Sequence, residues 1–266
     1  MIVERENPTT ASADGLYVYC VARGDGPCLL GAIGLEGKTV YGVAAGGIRA
    51  VVHDCRPEPY QSQDPHVLKG WLASHQDVVS AATQAFGTVL PMAFDMIVRG
   101  DAQTGTLAAM KGWLEQNRER FTRLLDRLAS KAEYGVQVLW DRAVIAAALV
   151  EGRAPLRALR DEAMSKPRGL AHLLQQKLAK ATREALEMQA QAFAQDFYAR
   201  IRGCVDDVRV EPLKKGDGPG QMLLNLSCLM PEGERELGDV LDAIQALEGV
   251  TVRFTGPWPP YSFVGA

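Results

Sequence analysis

The chain lacks any run of about 20 apolar residues, so no membrane-spanning helix is expected. Its first residues, MIVERENPTTASADG, are polar and acidic and carry no apolar core of a secretory signal. An excess of positive charge is missing too. With 29 Lys and Arg against 32 Asp and Glu, a net charge of −3 leaves no electrostatic footprint for nucleic acid. The five cysteines (Cys20, Cys28, Cys55, Cys204, Cys228) form no CxxC pair and no zinc spacing. They read as reduced thiols of a cytoplasmic protein. Histidines number four, with no HExxH or HxH arrangement to gather metal ligands. No GxSxG elbow is present, no GxGxxG follows a strand, and no internal repeat recurs at a fixed period. What is there is ordinary globular material. A hydrophobic fraction of 47% over 266 residues can build one large domain or two of usual size.

Residues 1–13 read as a disordered leader. GLYVYCVA then alternates as a strand, with Tyr17, Tyr19 and Val21 on one face. Two strand-like runs, Thr39 to Ala44 and Ile48 to His53, meet at Gly46-Gly47, a hairpin signal. Asp64-Pro65 has the chemistry of a helix start, and an apolar periodicity runs from Val67 to Phe86 until Gly87 stops it. TVLPMAF reads as a short buried strand, at an edge or bulged because of Pro91. From about Gln103 to Ala129, Leu107, Met110, Leu114, Phe121, Leu124 and Leu128 fall at heptad spacing. A stripe this short reads as the core-facing side of a helix rather than a coiled-coil seam.

The second half opens with an alternating strand, Glu133 to Trp140. An alanine-rich segment follows, another begins near Pro155, and a long helix runs from Lys166-Pro167 to about Arg202. That helix carries one apolar stripe through Leu174, Leu178 and Met188 and a displaced one through Leu186, Phe193, Phe197 and Ile201. Two stripes imply two contacts. A hairpin with its turn at Lys214 to Gly220, a helix from Gly233 to Leu247 and a strand from Val250 to Phe254 complete the chain. From Glu133 the order is strand, helix, strand, strand, helix, strand, which is the split-βαβ, ferredoxin-like order. The expected fold is therefore α+β in two packed domains. The first, 14–130, is mixed α/β with a small antiparallel sheet. The second, 131–255, is ferredoxin-like, and a tail spans 256–266.

Catalytic signals are thin. Ala32 to Thr39 fits a loose phosphate-loop pattern, but such a loop needs a helix starting at its lysine. Here TVYGVAAGG follows Lys38, so a link between strands is the better reading, and a nucleotide-binding enzyme using Gly37-Lys38-Thr39 is the weak alternative. His53-Asp54-Cys55 has no accompanying ligands, and His75 sits among apolar helix residues as a packing histidine. GDGP at Gly24 and again at Gly216 is turn chemistry. No catalytic, cofactor or metal residue is assigned.

The most distinctive stretch is the last, TGPWPPYSFV from Thr255 to Val264. It resembles the C-terminal signature of the gas vesicle protein L/F family, GvpL/GvpF. Tyr17-Val-Tyr19, Gly46 to Val52 and His75 to Phe94 are similar to further blocks of that family, so the resemblance covers about residues 15–264. Ala93 and Asp95 depart from it, where a basic residue and a glycine are expected. The resemblance implies a non-enzymatic accessory or minor structural protein of gas vesicles. It implies binding to the hydrophobic shell protein GvpA and to other gas vesicle proteins, in the cytoplasm where vesicles assemble. A chaperone-like partner for an aggregation-prone shell subunit needs an apolar surface. The candidates are Leu186, Phe193 and Phe197 on the long helix, and Trp258, Tyr261 and Phe263 in the tail. The three tail prolines are expected to hold that segment extended as a clamp over the protein's own core.

Overall fold

The structure is a computed structural model and describes residues 14–100, 103–214 and 220–265. The leader expected over 1–13 and most of the turn at Lys214 to Gly220, including its GDGP, lie outside the described residues. The chain divides into two compact units. One runs to Lys131 and takes up the chain again from Trp258; the other is Ala132–Pro257. The last residues thus fold with the first unit.

That first unit contains β1 (Gly15–Arg23), β2 (Cys28–Gly31), β3 (Val40–Ala45), β4 (Ile48–Cys55), α1 (Pro65–Phe86), β5 (Val89–Pro91), β6 (Ile97–Arg99) and α2 (Thr106–Arg127). The six strands form one sheet in the order β2-β3-β4-β1-β5, with β6 also on β1. β1 is the spine. It pairs antiparallel with β4 along its whole length, and its other side is shared by β5 at Cys20 to Ala22 and β6 at Gly15 to Tyr17. Both α1 and α2 pack on it, so Leu16 to Ala22 are all buried. β2 and β6 are too short, at four and three residues, to leave a periodicity in the sequence.

The alternation expected for β1 holds only to Tyr19. A bulge there sets Val18 opposite Val52 but Cys20 opposite Val51, and one extra residue reverses the facing of all that follow. Tyr17 and Tyr19 accordingly share a cluster with Cys20, Ala22 and the α1 residues Val78, Val79 and Ala82, while Val21 is buried outside it. The β3–β4 hairpin turns at Gly46 and Gly47, both at positive φ, 61° and 84°, as a two-residue loop of this kind requires. Asp64 caps α1 by accepting from the His66 amide at 2.8 Å, and Gly87 ends it at φ 75°. β5 is at the sheet edge, where Pro91 removes no needed donor. Met110, Leu114, Phe121 and Leu124 on α2 and Leu128 at its C-cap are buried, whereas Leu107 remains exposed.

The second unit contains β7 (Lys131–Trp140), α3 (Arg142–Gly152), α4 (Ala154–Ser165), α5 (Arg168–Gly203), β8 (Asp207–Val210), β9 (Gln221–Pro231), α6 (Glu236–Gln245) and β10 (Val250–Trp258). Its four strands stand in the order β10-β7-β9-β8. Val136, Val138, Leu226 and Cys228 from the sheet meet Phe197 and Ile201 of α5 and Leu237, Leu241 and Ile244 of α6. Asp141 starts α3 by accepting from Ala143 and Val144 amides.

β10 runs further than its apolar residues predict, through Pro257 to Trp258. Gly256, at φ 122°, makes this passage possible: a Cβ there would come within 2.9 Å of the Glu133 carbonyl and of the Tyr134 ring. The tail then leaves the extended conformation expected for it. Tyr261–Val264 form a helical turn, α7, which the two preceding prolines lead into.

Candidate functional site

In the first unit, the α1-facing side of the sheet buries a polar cluster. Tyr19 Oη accepts from the Leu35 amide at 2.9 Å and is assigned as the donor to His53 Nδ1 at 2.8 Å. His53 therefore carries its own proton on Nε2 and donates it to Tyr60 Oη at 2.9 Å. In the same way Tyr17 Oη accepts from the Asp95 amide at 3.2 Å and donates to His75 Nδ1 at 2.8 Å. Both imidazoles are neutral, assigned from the network. His75 Nε2 has no partner of hydrogen-bonding geometry among the described residues. The Met92 backbone beside it favours protonation, but burial outweighs that.

Burial pushes both histidines down to about 4, and pushes the Tyr17 and Tyr19 phenols up, out of reach at neutral pH. An acid–base pair works best when its pKa values lie near the operating pH. These groups have been moved away from it in both directions. The cluster is a tether between β1, β4, α1 and the loop residues Tyr60 and Asp95. Sequence alone suggested His75 as a packing residue; the role of Tyr60 and Asp95 has no periodic signature and went unread.

Asp95 stands where the resemblance leads one to expect a glycine. It sits at φ 70°, the backbone region glycine occupies without cost. Aspartate is among the few other residues that tolerate it, and a tertiary contact holds it there: Asp95 Oδ1 accepts from the distant Tyr60 amide at 2.9 Å.

Outside this cluster opens a groove of about 1750 Å³, with Glu36, Lys38, Tyr41, Asp54, Tyr60 and Trp71 among its walls. The phosphate-loop segment lies on its rim. Leu35–Gly37 make a single 3-10 turn and Lys38 leads into β3, so no helix N-terminus forms at the lysine to face a phosphate. No group of three or more His, Cys, Asp or Glu among the described residues is arranged to hold a metal. All five cysteines are free, and burial raises the Cys55 thiol to about 11 and Cys228 to about 12.

The six candidate contact residues fall into different surroundings. Phe197 is fully buried and Phe193, stacked on it at 5.1 Å, is half-buried between two clusters of the second unit. The displaced stripe of α5 is therefore core, facing the sheet and α3. Leu186 is 7% exposed, yet it forms the floor of an open groove of about 440 Å³ with Val150, Leu178, Ala179 and Thr182, rimmed by Arg142 and Arg183. Exposed apolar side chains nearby in sequence are Leu170, Leu173 and Met188.

The tail residues fold with the first unit. Phe263 is fully buried, Tyr261 Oη donates to Gln76 Oε1 at 3.0 Å, and Arg120 Nη2 donates to the Val264 carbonyl at 3.1 Å. Trp258 is 48% exposed. It is the member of the six that offers its ring to solvent.

Comparison with known proteins is consistent along the whole chain. The family model for "Gas vesicle synthesis protein GvpL/GvpF" matches residues 15–265. Gas vesicle protein L1 of Halobacterium salinarum is 34% identical over 97% of this chain and 95% of its own length. Gas vesicle protein F of a Streptomyces species is 30% identical over 93% of this chain and 98% of its own. The crystal structure of GvpF from an Anabaena species superposes with a TM-score of 0.71 over 95% of this chain and 99% of that one, at 22% identity, a likeness of fold. GvpF of Microcystis aeruginosa gives 0.65 over 95% and 100%, at 20% identity. The chain belongs to the GvpL/GvpF family of proteins involved in gas vesicle formation.

Proposed function

We propose that this protein is an accessory or minor structural component of gas vesicle assembly. It acts in the cytoplasm, binding the hydrophobic shell protein GvpA and other gas vesicle proteins to support nucleation of the vesicle. Family membership carries the reading, and the surface chemistry supports it. A shell subunit exposes apolar surface before it is incorporated, which invites aggregation. The groove over Leu186 and the exposed Trp258 ring offer apolar area to cover such a surface transiently. The order of elements in the second unit supports reading it as a ferredoxin-like module, a rigid sheet that holds α3 and α5 beside the groove.

Deleting the gene in its host tests the proposal, with vesicles counted by electron microscopy and buoyancy scored directly. Loss of vesicles, restored by the wild-type gene, is the expected outcome. Vesicles of normal number and shape in the deletion strain would remove the assembly role. Immunolabelling of purified vesicles then separates a wall component from a transient assembly factor.

A further inference from the structure

In the second unit, the open groove over Leu186 has two walls, and both are helices. α3 supplies Arg142 and Val150. α5 supplies a stripe from Gln175 through Leu178, Ala179 and Thr182 to Leu186, positions three or four residues apart that share one face. That stripe extends roughly 16 Å, about three turns, at the rise of a helix. Beneath it Leu186 clusters with Trp140 and Ile145. No carboxylate lines the groove, although acids outnumber bases in the chain, 32 to 29. One guanidinium stands on each wall, Arg142 on α3 and Arg183 on α5, and both residues are exposed. Neither has a carboxylate within ion-pair distance among the described residues. Arg142 donates to the neutral Gln221 Oε1 at 3.2 Å. Glu184, beside Arg183 in sequence, pairs with Lys180 instead.

We propose that this groove takes an amphipathic α-helix of a partner protein, about three turns long, with a carboxylate on each side of its apolar face. The inference rests on the assembly role proposed above and deepens it by naming the chemistry of the partner. The helical form follows from the walls. The lining residues lie within α3 and α5, whose backbone groups are used inside each helix. An extended segment would find no strand edge there to pair with. A helix satisfies its own backbone and needs only side-chain contact, so its apolar ridge can seat between Leu178, Thr182 and Leu186 on one wall and Val150 on the other. The sign of the flanks follows from the two arginines. A carboxylate beside the ridge forms a charge-assisted hydrogen bond with the guanidinium on its side, whereas an ammonium in the same place is repelled.

Two synthetic peptides test it on the full chain. Both carry leucines at i, i+3, i+4 and i+7 on one face and are stapled on the opposite face, so that each is helical before it binds. One is flanked by glutamates and the other by lysines, and fluorescence anisotropy of the labelled peptides reads binding. The glutamate peptide is expected to bind about tenfold more tightly than the lysine peptide at low salt, with the gap narrowing as salt is added. Arg142→Glu combined with Arg183→Glu is expected to reverse the preference. Should that double variant lose its native circular dichroism, Arg142→Gln and Arg183→Gln decide, each expected to narrow the gap. Equal binding of both peptides, binding of neither, or a preference that survives loss of the arginines overturns the proposal. So does a wild type that is dimeric by light scattering and monomeric once the two charges are reversed, for then a second copy is the occupant. Any of these results leaves the assembly role standing, because gene deletion tests that role without reference to the groove.

Discussion

Tyr17, Tyr19, His53, His75, Tyr60 and Asp95 make a network in which His53 is bonded at both ring nitrogens, whereas His75 is bonded only at Nδ1. Its consequence is a pH dependence of stability. Both histidines have folded pKa values lowered from 6.5 to about 4 by burial. A group whose folded pKa is depressed leaves stability complete above the unfolded value and removes it as pH falls toward the folded one. Each histidine withdraws on the order of 3 kcal/mol between pH 6.5 and 4. Urea unfolding at about pH 7.5 and about pH 4.5 checks this; equal midpoints would contradict it. Tyr19→Phe strands the Leu35 amide and His53 Nδ1 together and is expected to cost about 2–3 kcal/mol at neutral pH. Asp95→Ala keeps the strained backbone and loses the acceptor for the Tyr60 amide, for about 1–2 kcal/mol. Asp95→Gly relieves the strain and is expected to cost less than Asp95→Ala, an ordering that chemical denaturation reads directly.

Among the elements, α7 and the residues before it form a strap that is part of the first unit's core. Phe263→Ala is expected to cost about 3–5 kcal/mol, measured by thermal or urea unfolding. Ending the chain at Thr255 is expected to unfold the first unit; a truncated chain with a native circular dichroism spectrum would show the strap to be dispensable. Much of the secondary structure was legible because its signals are local. Asp64-Pro65, Gly46-Gly47 and Gly87 each specify a backbone conformation with no help from the rest of the chain. What depended on distant partners was not legible. The bulge at Tyr19 follows from pairing with β4, the turn of α7 from packing on the first unit, and the shortness of β2 and β6 left nothing to count. The long helix shows the same limit for a site. The sequence presents two apolar stripes, and only tertiary structure decides that Phe193, Phe197 and Leu186 all pack in core clusters, with Leu186 also at the floor of an open groove.

At the scale of the whole molecule, the chain belongs to the GvpL/GvpF family along nearly its whole length. The described residues contain no helix long and apolar enough to cross a membrane. Family identity was readable from the unusual TGPWPPYSF run, because three prolines and three aromatics in that order rarely arise by chance. The contact face was not, because exposure is a property of the folded chain. The proposed function stands or falls on whether this protein holds the shell protein GvpA, with the Leu186 groove of one unit and the Trp258 ring of the other as separate candidate contacts. Co-purification of GvpA with tagged protein tests it most directly. Ala179→Glu fills the groove from an exposed helix position, where Arg183 one turn on can pair with it, and Trp258→Asp removes the exposed ring. Wild type is expected to capture GvpA. The two changes together are expected to lower capture about tenfold, the effect of losing about 1.4 kcal/mol of contact, with folding unchanged. A folded wild-type protein that captures no GvpA would contradict the proposed role.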